Sequence, residues 1–447
     1  MRPTYSKLGR HTHMPRMHRY LAGVMVSALV AACSADKLTE VETPDQITPE
    51  QANSAPGAAA LRTAALGNFA NFFAGDVAGN GVGMNIATGL LGDEMLSARG
   101  GTEHLDSRAV NDAVFPSTVW TTFGQANTQI IRAIKSLSKY ATPGATTTSQ
   151  IAQLYMLEGF TYVIAGEGYC NGIPVGNADD QNPTTTIMSN AELFTLAIAK
   201  FDTALTTAAA TDTKVRNAAL VGKGRALVDL KRYAEAATAV ATVPTDYVYN
   251  VEFSATTIVN DVYDWMLATP NFGPSDKEGG NGLNYVTSKD PRIKVDASKT
   301  RPGQDGTPIW LTQMYPKGDS PVPLATGIEA RLIEAENLLA TGDGAGWLGK
   351  LNTARATLSG LTPLTDPGSA NARVDLLFRE RAFWMYFTSH RVGDLRRLVR
   401  QYSRAPNTVW PTGTYFKGGV YGGDMNLPPS QAEKNNSAFS GCANRDA

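Results

Sequence analysis

The sequence predicts a mainly helical fold of paired helices, with a loop-rich second lobe and little β-structure. Apolar residues recur at steps of three and four along several segments, which is the period of an amphipathic helix. Two long stretches rich in Gly, Pro and Asn interrupt those segments. The chain of 447 residues is 43% hydrophobic and 18% charged, which is typical of a globular protein rather than a disordered one.

The N-terminus is typical of an exported lipoprotein. A basic stretch up to Arg19 precedes an apolar run over 20–32, which is shorter than the roughly 20 residues needed to span a bilayer. The run leads into Val-Ala-Ala-Cys ending at Cys33, the form of a lipobox, in which the thiol is lipidated and becomes the new N-terminus. We predict a signal peptide over 1–32 and a lipid anchor at Cys33. An ordinary signal peptide with an incidental cysteine is the alternative.

Residues 33–56 are polar, acidic and proline-bearing, so we expect a flexible tether there and a folded domain over 57–447. Residues 1–32 carry five of the 40 Lys and Arg residues and none of the 41 Asp and Glu residues. The remaining chain is therefore acidic and shows no basic cluster, which argues against nucleic-acid binding.

Two cysteines follow the anchor, Cys170 and Cys442. In an oxidising compartment an even number of cysteines allows one disulfide. Two unpaired buried thiols are the alternative, and the sequence leaves both open because it does not fix the distance between the two residues.

Helical patterns fill the middle of the chain. The apolar positions of 151–165 predict a helix buried on several sides. Ser189 followed by Glu192 predicts a capping box at the start of a helix over 189–208.

A helical hairpin is predicted over 215–230 and 233–241. Its small, apolar and aromatic positions match one tetratricopeptide (TPR) repeat, in which small residues let paired helices approach closely. The matching residues are Gly224, Leu227, Tyr233, Ala236 and Val240. A second pair is predicted over 328–339 and 348–358. Because one repeat cannot bury its own face, several must stack.

The loop-rich lobe is predicted over 242–323, which is rich in Gly, Pro, Asn and Tyr. A loop region of that length in a compact domain is usually functional. A similar region over 75–118 interrupts the N-terminal helices, and it contains four polar candidates for ligand binding, which are expected to be solvated rather than functional. They are Asp93, Glu94, Arg99 and His104.

The segment 374–400 is predicted to be one long helix with charges set into an apolar face. Buried charges must be paired or they cost several kcal/mol each, so Glu380 and Asp394 are expected to hold arginines across a helical junction. The predicted ion-pair residues are Glu380, Arg381, Arg391 and Asp394. A catalytic Glu–His–Asp set is the alternative, and the density of arginines disfavours it.

Several segments, in order, resemble the SusD/RagB family of nutrient-binding outer-membrane lipoproteins. The strongest similarity is to the family's RER and GHR…DLRR motifs, at 379–381 and 390–397, although Ser389 stands where glycine is usual. The other matching segments are the lipobox, 154–160, the hairpin over 215–241, Asp290-Pro291-Arg292, 329–336 and 427–436. Any one of these is weak, but their order together is specific.

The resemblance implies about four TPR-like helical pairs that support the loop-rich lobe. It also implies a lipid anchor in the outer membrane, a position at the cell exterior and a SusC-type TonB-dependent transporter as partner. The implied ligand is an oligosaccharide or, less often, another nutrient. The chain departs from the family's pattern in its short Ala-, Thr- and Gly-rich connections, which leave few aromatic loop residues.

Sugar rings stack their apolar C–H faces on Trp and Tyr, so loop aromatics are the candidate ligand-binding residues. The predicted set is Trp265, Tyr285, Trp310 and Tyr315, with Trp410, Tyr415 and Tyr421 as further candidates. Trp120 is expected in the core. No nucleophile elbow, phosphate loop or metal-ligand spacing occurs in the sequence, so we predict no enzyme, no cofactor and no metal site. A calcium site built from carboxylates alone is the alternative for a metal, and no sequence pattern marks one.

The leading hypothesis is therefore a surface lipoprotein that binds a nutrient and acts with a TonB-dependent transporter. The second hypothesis is a periplasmic TPR-like scaffold that holds other proteins together. The third is a surface hydrolase. Protease treatment of whole cells distinguishes the first two, because only a surface-exposed protein would be cut.

Overall fold

The computed structural model of the protein describes residues 53–76, 81–111, 117–177 and 184–445. The predicted signal peptide, the lipidation site Cys33 and the tether up to residue 52 lie outside the described residues. These assignments, and the domain boundary between the tether and residue 57, stay predictions.

The described residues form fourteen α-helices. They are α1 (Ala55–Ala74), α2 (Met84–Leu91), α3 (Glu103–Asp106), α4 (Ser117–Tyr140), α5 (Ala145–Gly168), α6 (Asn190–Thr207), α7 (Thr213–Asp229), α8 (Tyr233–Val240), α9 (Asp261–Tyr263), α10 (Gly327–Ala340), α11 (Gly344–Arg355), α12 (Ala370–Trp384), α13 (Arg391–Arg400) and α14 (Pro406–Val409). A π-helical turn, Asp264–Ala268, continues α9, and a 3-10 turn covers Gln431–Asn435.

Ten short strands are described, and they pair into five separate two-stranded antiparallel sheets. The strands are β1 (Gly75–Asp76), β2 (Gly81–Val82), β3 (Met95–Ser97), β4 (Ile173–Asn177), β5 (Thr184–Met188), β6 (Val248–Val251), β7 (Phe272–Pro274), β8 (Val295–Pro302), β9 (Pro308–Thr312) and β10 (Val322–Thr326). The sheets are β1–β2, β3–β7, β4–β5, β6–β10 and β8–β9. The prediction of a mainly helical fold with little β-structure is confirmed.

Four helical pairs form the scaffold: α1 with α4, α5 with α6, α7 with α8, and α10 with α11. Neighbouring pairs also contact each other, with α4 on α5, α6 on α7, and α8 on α10. This stacking buries the apolar face that no single pair could bury alone. The predicted fold of about four TPR-like pairs is confirmed.

Two local predictions about these helices are also confirmed. Ser189 and Glu192 form the capping box of α6, in which the Ser189 hydroxyl accepts from the Glu192 N–H at 3.2 Å and the Glu192 carboxylate accepts from the Ser189 N–H at 2.7 Å. Gly224 of α7 lies against α8, where an added Cβ would be 2.6 Å from the Val240 side chain. Only a residue without a side chain allows that approach.

The loop-rich lobe over 242–323 holds five of the strands, and its first and last strands pair. Strand β6 pairs with β10, so the chain leaves the helical scaffold after α8 and returns to it at α10. Thr326 ends β10 and caps α10, since its hydroxyl accepts from the Glu329 N–H at 3.0 Å. The return strand thereby fixes the first turn of α10.

The region 75–118 is more ordered than the sequence suggests. It contains α2, every residue of which is buried, and β3, which pairs with β7 of the loop-rich lobe. The two loop regions are therefore joined by a small sheet. In the part of the chain that the structure describes, each helix is too short or too polar to cross a bilayer.

Candidate ligand-binding cavity

A cavity of about 400 Å³ lies where β6, the start of α10 and the end of α12 meet, and we call it the Tyr315 cavity. Its volume is at the lower end of the roughly 300–1,000 Å³ typical of small-molecule sites. Ten of its 17 lining residues are aromatic or apolar. Four aromatic residues are among them, namely Tyr247, Tyr315, Trp384 and Tyr386.

The mouth of the cavity carries Asp246, Val248 and Thr357, which are all exposed. Val248 is 47% exposed, although its side chain is apolar. A ligand in the cavity would cover this side chain and remove its apolar surface from water, which is favourable.

The turn between α12 and α13 forms one wall, and it corrects the prediction of a single helix over 374–400. The first helix ends at Trp384 and the second begins at Arg391. Phe387 and Ser389 have φ angles of 59° and 65°, in the left-handed region that an α-helix of L-residues excludes. Glycine adopts this conformation most easily. The motif position at which glycine is usual, occupied here by Ser389, therefore indicated that the helix is interrupted there.

His390 and Glu329 lie at the buried floor of the cavity, with 3% and 1% exposure. The His390 Nε2 lies 3.1 Å from a Glu329 carboxylate oxygen, and its Nδ1 lies 2.9 Å from the Thr388 carbonyl oxygen. Burial raises the pKa of Glu329, but attraction to His390 and the hydrogen bond between them outweigh burial and lower that pKa. The two buried side chains are therefore hydrogen-bonded to each other at the floor of the cavity.

The predicted ion pairs occur on both sides of this turn. Asp394 accepts from the Arg381 Nε at 2.9 Å and from an Arg397 terminal nitrogen at 2.8 Å. Glu380 accepts from Arg292 and from Arg355, both at 2.8 Å. All six side chains are buried, so these charges lie in the core with their partners.

Arg391 differs from the expected ion-pair role. Its Nε donates to the Gly92 carbonyl oxygen at 3.2 Å, and it forms no salt bridge among the described residues. Its positive charge instead lowers the pKa of two nearby buried acids, Asp93 and Glu94, against the larger effect of burial.

Two of the four predicted ligand-binding aromatics are core residues. Tyr285 is 0% exposed, because its ring packs between those of Phe383 and Tyr386 at centroid distances of 5.2 and 4.7 Å. Trp265 lies in the π-helical turn rather than a loop, is 8% exposed, and is covered by the Arg99 guanidinium 4.4 Å from its ring centroid. Neither ring has a face open to a ligand.

The other two predicted aromatics differ from each other. Tyr315 is also buried, at 5% exposure, but it lines the cavity. Trp310 is half-buried on β9 and lines none of the described cavities. The further candidates are all buried, since their rings pack against neighbouring side chains. They are Trp410, Tyr415 and Tyr421.

Sequence reasoning missed most of the cavity. Tyr247 lies at the edge of a strand, Met314 follows β9, and Trp384 ends a helix that was taken to continue. The pairing of β6 with β10 accounts only for the position of Tyr247, next to β6. The three residues come from distant segments, and no local pattern in the sequence predicts that they meet.

Two of the four polar residues that were expected to be solvated are buried instead. Asp93 and Glu94 are buried, and so is Asp106, whose carboxylate accepts from the Ser97 N–H at 2.8 Å and the Tyr415 hydroxyl at 2.9 Å.

Within the described residues no three His, Cys, Asp or Glu side chains are arranged to hold a metal ion.

Cys170 and Cys442 are joined in a disulfide, with their Cα atoms 5.9 Å apart. The bond ties the C-terminal segment to the end of α5, where the Cys170 N–H also donates to the Leu427 carbonyl oxygen at 2.9 Å. Of the two possibilities that the sequence leaves open, the structure has the disulfide.

No family model matches the chain, and no curated protein matches it. Solved structures do. Surface glycan-binding protein A from Bacteroides uniformis superposes with a TM-score of 0.63 at 15% identity, over 86% of this chain and 99% of that one. The fold is that of the SusD-like proteins.

Two further SusD-like structures agree. A SusD superfamily protein from Bacteroides fragilis has a TM-score of 0.63 at 14% identity, over 88% of this chain and all of that one. A SusD-like carbohydrate-binding protein from Bacteroides vulgatus has a TM-score of 0.56 at 15% identity, over 76% and 83%. The SusD/RagB resemblance of the sequence is thereby confirmed at the level of the fold.

Proposed function

We propose that the protein is a cell-surface lipoprotein that binds an oligosaccharide in the Tyr315 cavity, without catalysis, and delivers it to a SusC-type TonB-dependent transporter. The observation that carries the proposal is the cavity itself. On a SusD-like scaffold it combines aromatic walls, an exposed apolar residue at its mouth and a few polar groups. Sugar-binding sites have this composition because sugars present both C–H faces and hydroxyl groups.

The lipid anchor and the partner rest on the sequence. The lipobox ends at Cys33, and residues 34–56 supply a polar tether that would let the folded domain reach a neighbouring transporter. Metabolic labelling with a fatty acid should mark the wild-type protein and not Cys33→Ser. A pull-down from detergent-solubilised outer membrane should recover a large β-barrel protein, and recovery without one would count against the partner.

Ligand binding is tested by closing the cavity mouth. Val248→Trp adds a large side chain at the mouth, so it should lower glycan affinity at least tenfold in the purified full-length protein in detergent. Val420→Trp is the matched control, because Val420 is 71% exposed and does not line the cavity. Affinities would be measured for the ligands that a glycan array identifies.

Three outcomes would contradict parts of the proposal. Absence of binding to every glycan on the array would refute oligosaccharide binding. Equal affinities for Val248→Trp and Val420→Trp would move the site away from the cavity. Turnover of a bound oligosaccharide by the purified protein would show an enzyme.

A further inference from the structure

The side chains of the Tyr315 cavity include carboxylates but no lysine or arginine among its described lining residues. Asp246 stands exposed at the mouth, and Glu329 lies buried at the floor. The other polar groups of the lining residues are threonine and tyrosine hydroxyls, the Trp384 indole N–H and His390.

His390 is not available to an anionic ligand. Both of its ring nitrogens already face oxygen acceptors, the Glu329 carboxylate and the Thr388 carbonyl. A histidine has only two ring nitrogens with which to donate, so both of its donor positions are occupied.

Two basic residues near the cavity, Arg381 and Lys214, lie outside its described lining. Arg381, on the helix before the wall turn, is held by Asp394. Lys214 accepts the Tyr247 hydroxyl with its carbonyl oxygen, while its ammonium lies 5.4 Å from the Tyr249 ring centroid. Arg381 is therefore held by an acid, and the exposed Lys214 ammonium lies against the Tyr249 ring rather than among the lining residues of the cavity.

Recognition of a sugar carboxylate or sulfate calls for arginine or lysine donors, because a charged ligand loses its hydration when it enters a cavity. Here it would instead meet the negative charge of Asp246 at the mouth. Aromatic faces and carboxylates together suit uncharged groups or amines.

We infer that the Tyr315 cavity selects against anionic sugars, so that the bound unit is neutral or amine-bearing. The inference rests on the proposed function and names the substrate class of the same site. Asp246 is its specificity-determining residue, since it is the exposed carboxylate at the mouth.

The test uses full-length protein in detergent on a glycan array that spans neutral, amine-bearing, carboxylated and sulfated oligosaccharides. Every glycan bound at a site that Val248→Trp closes should be neutral or amine-bearing. The same backbone carrying a carboxylate or sulfate should bind at least tenfold more weakly. Comparable affinity for the anionic and neutral forms would overturn the inference and leave the proposed function intact. Failure of all four classes to bind would refute the proposed function itself.

A charge reversal at the mouth sharpens the test. Asp246→Lys should shift the ratio of anionic to neutral affinities in favour of the anionic glycan by about three- to tenfold, as expected for an exposed charge. Asp319→Lys is the matched control, because Asp319 is an exposed acid outside the cavity lining. Equal shifts in both variants would show a general charge effect and overturn the role of Asp246.

Discussion

Two groups of acids in this molecule are largely removed from solvent but have different partners. The paired acids, Asp394 and Glu380, lie at the two ends of the α12–α13 turn region and each accepts from two arginines. The loop acids are Asp93, Glu94 and Asp106, which are buried, and Glu278, which is half-buried. None of the four forms a salt bridge with a described arginine or lysine.

The partners set opposite protonation behaviour. Burial would raise the pKa of Asp394, but Arg381 and Arg397 outweigh it and lower that pKa well below its usual range. For the loop acids burial prevails, and it raises the pKa of Glu94 to about 8 and of Asp106 to about 7. The pKa of Glu278 is raised by burial and by the neighbouring charges of Asp106 and Asp93.

The comparison teaches that burial alone does not tell what an acid contributes to stability. A paired acid stabilises the fold in its charged form, whereas a loop acid is tolerated in its protonated form. The ion pairs at the α12–α13 junction therefore stabilise the fold. In the loop regions, ionisation of a buried acid would destabilise it.

The largest expected effect on stability comes from removing one charge from the ion pairs at the α12–α13 junction. Asp394→Asn leaves Arg381 and Arg397 buried without their shared carboxylate, and a broken buried pair typically costs about 3–5 kcal/mol. The free energy of unfolding, measured by denaturant titration at pH 7, should fall by that amount.

Asp202→Asn is the control for this prediction. Asp202 pairs with Lys223 at 2.6 Å, but its side chain is 49% exposed, so the loss should stay below about 1 kcal/mol. Equal losses in the two variants would mean that burial of the pair does not matter, and the comparison would fail.

The loop acids predict a pH dependence with a definite sign. Between the unfolded pKa values near 4 and the raised folded values near 7 and 8, the folded state holds protons that the unfolded state has released. Stability should therefore fall as pH rises from about 5 to 8, by about 1.4 kcal/mol per pH unit for each such group. The lowered pKa of Asp394 acts at the other end, where stability is lost as pH falls below about 4.

Glu94→Gln isolates the alkaline limb of this curve. The amide cannot ionise, so the variant should lose less stability than wild type between pH 5 and pH 8 in thermal unfolding. A stability that rises with pH through this range in wild type would contradict the raised pKa values.

The two acid groups also show how far the sequence leads. The arginine-dense pattern at 379–397 predicts the pairing of Glu380 and Asp394 correctly, because buried charges must find partners. The same pattern does not predict that the helix ends at Trp384, because the helical spacing of apolar residues continues beyond it. Asp93 and Glu94 stand in a polar loop and were expected to be solvated. Their burial comes from segments far along the chain, such as the one that carries Tyr285.

The fold was more predictable than the site for the same physical reason. Helix periodicity, the Ser189 capping box and the close approach at Gly224 are local, so the sequence displays them. The Tyr315 cavity depends on the pairing of β6 with β10, which is a contact between distant strands. The positions of aromatic residues in loops, such as Trp265, do not indicate which rings stay accessible to a ligand once the strands have paired.

The smallest expected effect distinguishes hydroxyl partners from arginine partners. The Tyr421 hydroxyl donates to Glu278 at 3.1 Å, and the Tyr402 hydroxyl donates to Glu336 at 2.7 Å, but Glu336 also has a salt bridge with Arg397. Tyr421→Phe should cost about 1–2 kcal/mol, because Glu278 loses a donor that no arginine replaces. Tyr402→Phe should cost less, since Arg397 still satisfies Glu336. Denaturant titration of both variants at the same pH measures the difference, and a larger loss for Tyr402→Phe would mean that arginine pairing does not protect a buried acid here.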